Sequence, residues 1–162
     1  MSEMKATVRY AGDDLYLAVS PGGHAQVLET NGKRGSAVTP IELLLLALGG
    51  CTGSDVVTAL QKKRQRVVGY RAEITGERRE EAPRSFQSVH VHHVITGHNV
   101  SEQAVSQAIE LSDTKYCSVA ATLQRFGFRP ALKSSRRRKL RKRPARERLR
   151  TVAHRGFHAI SL

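Results

Sequence analysis

Thr39-Pro40-Ile41-Glu42-Leu43-Leu44-Leu45-Leu46-Ala47-Leu48-Gly49-Gly50-Cys51-Thr52-Gly53-Ser54-Asp55-Val56-Val57 is the stretch on which the fold turns. Pro40 suits the first turn of a helix, where its missing N–H costs nothing, and Glu42 places an anion near the positive end of the helix dipole. Apolar positions run almost without interruption from Ile41 through Leu48 and return at Val56, Val57 and Leu60. The expected helix is therefore buried on most sides and ends in the polar run Gln61-Lys62-Lys63-Arg64. It is the expected centre of a single core.

Upstream, Lys5 to Tyr10, Leu15 to Ser20 and Ala25 to Thr30 alternate between apolar and polar residues. Gly12-Asp13-Asp14 and Pro21-Gly22-Gly23 separate them, which predicts an antiparallel meander. Downstream, Val67 to Thr75 and Ser88 to Thr96 alternate again around a polar, proline-containing link from Gly76 to Arg84, as a long hairpin would. Ser101 and Glu102 precede Ala104, Val105, Ala108, Ile109 and Leu111 at helical spacing. Ser112-Asp113-Thr114 interrupts that helix, and Cys117 to Leu123 reads as a third, short one. The fold class is α+β, in the order βββ-α-ββ-αα, with no internal repeat.

Charge divides the chain. Met1 to Gln124 holds 13 Lys/Arg against 13 Asp/Glu, whereas Arg125 to Leu162 holds 14 Lys/Arg against one acid. The net charge of +13 thus belongs to the tail and says little about the partners of the body. The expected organisation is one domain over residues 1–124 and a basic, arginine-rich extension over 125–162. No amino-terminal segment has the basic start, apolar run and small-residue cleavage site of a secretory signal, so a reducing cytoplasm is expected. The longest apolar run, Ile41 to Ala47, is far shorter than the ~20 residues of a membrane helix and contains Glu42, so no membrane partner is expected.

Cys51 and Cys117 are the only cysteines. Two thiols this far apart in sequence make neither a disulfide scaffold nor a CxxC metal clamp. Reactivity requires the thiolate, which a helix amino terminus or a nearby cation favours and apolar burial opposes. Cys117 follows Asp113-Thr114-Lys115 at a helix start, so backbone N–H groups and Lys115 are expected to favour its anion. Asp55, one turn after Cys51, opposes ionisation there. Spacing leaves open which sulfur attacks, and the commoner role of a free cysteine is that of a small apolar filler.

The helix quoted above, together with Gly76-Glu77-Arg78-Arg79-Glu80-Glu81-Ala82-Pro83 and Ala108-Ile109-Glu110-Leu111-Ser112-Asp113-Thr114-Lys115-Tyr116-Cys117-Ser118-Val119, resembles the OsmC/Ohr family of bacterial peroxide-reducing proteins. The resemblance runs from Met4 to Leu123. It implies an OsmC-like fold, an intertwined homodimer with antiparallel sheet and two central cysteine-bearing helices. It also implies that Cys51 attacks the O–O bond of an organic hydroperoxide and becomes a sulfenic acid, that Cys117 condenses with it to a disulfide, and that a dithiol reductant restores both thiols. No cofactor and no metal is implied.

The chain departs from the family in three places. Family members place a carboxylate ten residues before the attacking cysteine, where an arginine pairs with it. Here Ile41 holds that position and Glu42 follows it. Nine residues of unbroken helix make two and a half turns, which sets Glu42 opposite Cys51, so Glu42 activates Cys51 only if Gly49-Gly50 breaks the helix. Arg9 and Arg34 are the candidate activating arginines by location alone. Finally, the family's closing strand gives way to the basic tail, and loss of that strand leaves a sheet edge unpaired.

Two further motifs invite other functions. His90, His92 and His93 suggest metal ligands, since i and i+2 on a strand share a face, but no third ligand has suitable spacing and a solvated strand face is expected. Ser134 to Pro144 could neutralise phosphates and bind nucleic acid, although it lacks aromatics for base stacking. Its residue usage is equally what a shifted reading frame would produce. The rival to peroxide reduction is a non-catalytic small-ligand-binding protein of the same fold.

Overall fold

The computed structural model describes residues 3–125. The expected nucleic-acid arm, the altered reading frame and the missing closing strand lie outside the described residues. Elements run β1 (Thr7–Gly12), β2 (Leu15–Val19), β3 (Ala25–Glu29), α1 (Pro40–Lys62), β4 (Arg66–Arg78), β5 (Phe86–His98), α2 (Glu102–Leu111), a π turn (Ser112–Tyr116) and α3 (Ser118–Arg125). They form two antiparallel sheets, β1-β2-β3 and β4-β5.

The meander forms where turn residues permit it. Asp13 and Asp14 both take positive φ, as the tight link between β1 and β2 demands, and aspartate tolerates that region through its short polar side chain. After β3 the chain folds around Glu29, a residue at the molecule's periphery that the loop nevertheless covers almost completely. Its carboxylate accepts the N–H groups of Arg34 and Ser36 and the Ser36 hydroxyl, all at 2.8 Å. These bonds, the Arg34 N–H first, hold its pKa down at about 2.

The loop delivers the chain to α1 in a fixed orientation. Thr39 caps the helix, and Glu42 returns the bond as a capping box, its Oε2 accepting the Thr39 N–H at 2.7 Å and the Thr39 hydroxyl at 2.8 Å. α1 then runs unbroken for 23 residues. That length and its apolar composition also suit a membrane span, which the short run Ile41 to Ala47 did not signal. Its packing is that of a core helix: Leu48, Thr52, Val56 and Leu60 are buried against β4, β5 and α2.

Burial of α1 is nonetheless one-sided, contrary to the expectation of a helix covered on most sides. Leu44 is 40 % exposed and Leu46 59 %. Among the described residues, no sheet or helix covers that side of the apolar run. The meander is similarly bare, with Tyr10 67 % exposed and Val8 and Val27 also open.

The hairpin is longer than alternation over Val67 to Thr75 and Ser88 to Thr96 suggested, because polar residues at its far end still alternate in and out. Gly76 pairs with Val89, Glu77 with Ser88 and Arg78 with Phe86, so Gly76 to Arg78 is strand and not link. Ser88 donates to Glu77 across the pair at 3.0 Å. Gly76 is no turn glycine: a Cβ there would lie 2.5 Å from the Phe86 ring.

α1 lies close on β4 because two of its glycines face the strand. A Cβ on Gly49 would sit 2.5 Å from Ile74 Cδ1, and one on Gly53 would sit 2.6 Å from the Tyr70 ring. Ile74 Cδ1 is the end of a flexible side chain, whereas the Tyr70 ring is held through its hydroxyl by His93. Gly53→Ala is expected to destabilise, because an overpacking cost of about 1–3 kcal/mol exceeds the roughly 1 kcal/mol gained in helix propensity. Urea unfolding should show a lower midpoint, largely restored in the Gly53→Ala, Tyr70→Leu double variant. A midpoint raised by Gly53→Ala alone would mean that the helix does not lie this close.

Candidate redox site

α1 presents Cys51 and Asp55 one turn apart on one flank. Opposite them the chain leaves α2 through the π turn, closed by the Cys117 N–H donating to the Ser112 carbonyl at 2.8 Å. The extra residue of that turn ends it at Cys117, which serves as the cap of α3: its carbonyl accepts from Ala121 N–H at 3.0 Å and its Sγ from Ala120 N–H at 3.3 Å. Ser112 ties the two halves together, its hydroxyl donating to Asp55 Oδ2 at 3.1 Å. As a result, one ligand atom each of Cys51, Asp55 and Cys117 lies within 4.8 Å of the other two. Residues 66 positions apart in sequence thus meet within one chain, and both thiols are free.

The two sulfurs differ in surroundings. Cys117 is 2 % exposed and packs in a cluster with Leu48, Val89, Val91 and Ala120, whereas Cys51 is half-buried at the edge of that cluster. Burial pushes the Cys117 thiol up to about 11 against a weaker opposing pull from the Ala120 N–H, and the neighbouring Cys51 side chain adds to the rise. This corrects the expectation that the helix start and Lys115 favour a Cys117 anion. The amide contributes, but desolvation is larger, and Lys115 is directed over the Tyr116 ring with Nζ 5.7 Å from its centroid. The pair therefore consists of an accessible sulfur and a buried one that holds its proton.

The candidate activating groups lie elsewhere. Glu42 is engaged as the cap of α1, and because no break occurs at Gly49-Gly50 it sits about 14 Å along the axis from Cys51 and on the opposite side. Arg34 pairs with Asp13 at 3.5 Å, in the loop next to the meander. Arg9 lies exposed in the middle of β1, in the three-stranded meander, whereas the sulfurs sit on α1 and at the start of α3.

The histidines separate by register. His92 points outward and pairs with Glu73 at 3.2 Å, and His90, two residues before it, shares that face. His93 departs from the expected solvated face: it turns inward, with Nδ1 2.7 Å from the Tyr70 hydroxyl. Tyr70 in turn reaches Thr52, the neighbour of Cys51, and burial raises the tyrosine to about 12. The Nε2 of His93 is buried without a hydrogen-bond partner among the described residues. Sequence reasoning missed Ser112, Tyr70 and His93 as neighbours of the site. The only available signal was the one-residue step from His92 to His93, which changes the face of the strand.

The fold that brings the two free thiols together is α+β, with α1 packed over an antiparallel hairpin. The chain belongs to the OsmC family: the pattern described as OsmC-like protein matches residues 32–127. Protein YhfA of Escherichia coli (strain K12) is 43% identical over 122 residues, covering 75% of this chain and 90% of that protein. A structure solved by structural genomics is 36% identical with a TM-score of 0.75, over 82% of this chain and 97% of that one. An organic hydroperoxide resistance protein OsmC from Legionella pneumophila has the same fold at 17% identity and a TM-score of 0.60, over 84% of this chain and 98% of its own.

Burial lowers the His93 pKa from 6.5 to about 4, with His92 adding a smaller repulsion. Between those values the unfolded chain binds a proton that the folded chain refuses, so stability falls as pH drops from 6.5 towards 4 and this contribution then levels off. Denaturant midpoints across that range should decline in the parent and decline less in His93→Gln. Equal slopes would place His93 in solvent.

Proposed function

We propose that the protein reduces organic hydroperoxides, with Cys51 as the attacking sulfur and Cys117 as the resolving one. The observation that carries this reading is the convergence of an accessible and a buried free thiol within 4.8 Å. The Cys51 thiolate attacks the terminal oxygen of the hydroperoxide, the O–O bond breaks, and an alcohol leaves as the sulfur becomes a sulfenic acid. Cys117 then attacks the oxidised sulfur, water departs and a disulfide forms. An external dithiol supplies the two electrons that return both thiols.

Division of labour follows from burial. Peroxide reaches Cys51, while the apolar wall of Leu48, Val89, Val91 and Ala120 keeps Cys117 protonated until the sulfenic acid forms beside it. The two sulfurs lie within 4.8 Å of each other, so side-chain rotation of a few ångströms reaches the roughly 2.05 Å of a disulfide. In a reducing compartment such as the cytoplasm the resting state is the dithiol.

The reading includes a homodimer. The bare face of α1 at Leu44 and Leu46 and the bare meander at Val8, Tyr10 and Val27 are apolar surfaces that a second copy would cover. A cation for Cys51 then comes from the meander region of that copy, through Arg9 or Arg34.

Reduced protein mixed with cumene hydroperoxide should lose two titratable thiols per chain. Cys51→Ser should abolish the loss, and Cys117→Ser should arrest at a sulfenic acid that dimedone traps. Thiols that survive excess hydroperoxide in the parent would exclude the peroxidase and leave the family fold to small-ligand binding.

A further inference from the structure

The redox pair does not meet alone. Asp55 completes a triangle with Cys51 and Cys117, and three such atoms within 4.8 Å of one another are a coordination geometry as much as a disulfide precursor. We propose that the reduced protein binds one zinc-class divalent cation per chain, held by Cys51 Sγ, a carboxylate oxygen of Asp55 and Cys117 Sγ, with the fourth position open.

Distances suit such an ion. In a tetrahedral zinc site, bonds of about 2.3 Å to sulfur and about 2.0–2.2 Å to oxygen place neighbouring ligand atoms about 3.5–3.8 Å apart. With every separation at or below 4.8 Å, the triangle lies within about 1.3 Å of that spacing. Its members come from firmly placed elements: Cys51 and Asp55 from adjacent turns of the unbroken α1, Cys117 from the junction of the π turn and α3. The carboxylate has the outer support that metal-ligating groups require, since the Ser112 hydroxyl donates to Asp55 Oδ2 at 3.1 Å and fixes its orientation. Cys117 Sγ accepts the Ala120 N–H at 3.3 Å, a donor that favours the thiolate a metal requires.

The ligand set selects the metal. Two thiolates and one carboxylate are too soft for magnesium or calcium, which take all-oxygen shells, and fit zinc, cobalt or cadmium. Apolar neighbours on the Cys117 side, Leu48, Val89, Val91 and Ala120, keep the ion's inner face dry. Cys51 and Asp55, both half-buried, leave a way in and a place for an exchangeable fourth ligand. Three protein ligands plus one open position describe a site that exchanges its metal and does not staple the fold. Occupancy engages both sulfurs, so the metal and the disulfide exclude each other.

Cobalt(II) added to the reduced full-length protein tests this directly, because thiolate ligation produces near-ultraviolet charge-transfer absorption. Saturation at one cobalt per chain, reversal by zinc but not by magnesium, and loss of the band in Cys51→Ser and in Cys117→Ser are expected. Asp55→Asn should weaken binding about tenfold or more, as loss of one ligand or its support does. Zinc should also slow N-ethylmaleimide alkylation of Cys51 in the parent. Absence of the band, binding that survives Cys117→Ser, or affinity unchanged by Asp55→Asn would overturn the three-ligand site. Circular dichroism of each variant separates loss of ligand from loss of fold. Because no turnover is measured, the metal site and the peroxidase can fail independently.

Discussion

The close seating of α1 on β4 is the constraint from which the rest of the molecule follows. Gly49 and Gly53 have no side chain, so the helix axis lies close on Ile74 and nearer the Tyr70 ring than a Cβ at position 53 would allow. That approach buries Leu48, Val56 and Leu60 in two apolar clusters and fixes the rotation of the helix about its axis. With the rotation fixed, Cys51 and Asp55 emerge on the flank where α2 gives way to α3. Moving the helix outward by the width of a methyl group would loosen both clusters and draw Cys51 away from its partner.

The second half of the site depends on a local irregularity. A regular continuation of α2 would carry Cys117 past α1 at a different height. The five-residue π turn absorbs one additional residue, which ends the turn at Cys117 and makes it the cap of α3. π turns concentrate at functional positions because they cost helix geometry and persist only where something depends on them. Here the dependent feature is the meeting of Ser112 with Asp55 and of Cys117 with Cys51.

Much of this architecture was legible in the sequence, and the unread parts have physical reasons. Pro40, Glu42 and the apolar run to Leu48 mark α1 because capping and burial are local properties of the chain. The meander was readable from Gly12-Asp13-Asp14, where backbone torsions demand particular residues. The ends of β4 and β5 were not, because Gly76 resembles a turn residue until the Phe86 ring across the pair is seen to fill its place. His93 was misread because facing direction depends on register, and register is set by partners distant in sequence. The juxtaposition of the cysteines was available only through family resemblance. Neither their spacing nor the residues around Cys117 revealed that burial would outweigh the helix start in setting its proton affinity. Glu42 shows the reverse case, an acid that invited a catalytic role and serves as a helix cap.

Chemistry and architecture meet in the inequality of the two sulfurs. An exposed pair would oxidise indiscriminately, and a buried pair would meet no substrate. One sulfur at the edge of a cluster and one inside it would give the proposed chemistry a defined order of events, provided that both belong to the same chain. The most direct measurement of that condition uses a mixture of unlabelled and heavy-nitrogen-labelled protein, unfolded and refolded together, oxidised with diamide and digested without reduction. Peptides containing Cys51 should be disulfide-linked to peptides containing Cys117, with both members carrying the same label. Linked pairs of mixed label, or the absence of any Cys51–Cys117 link, would contradict the placement of the two thiols side by side within a single chain.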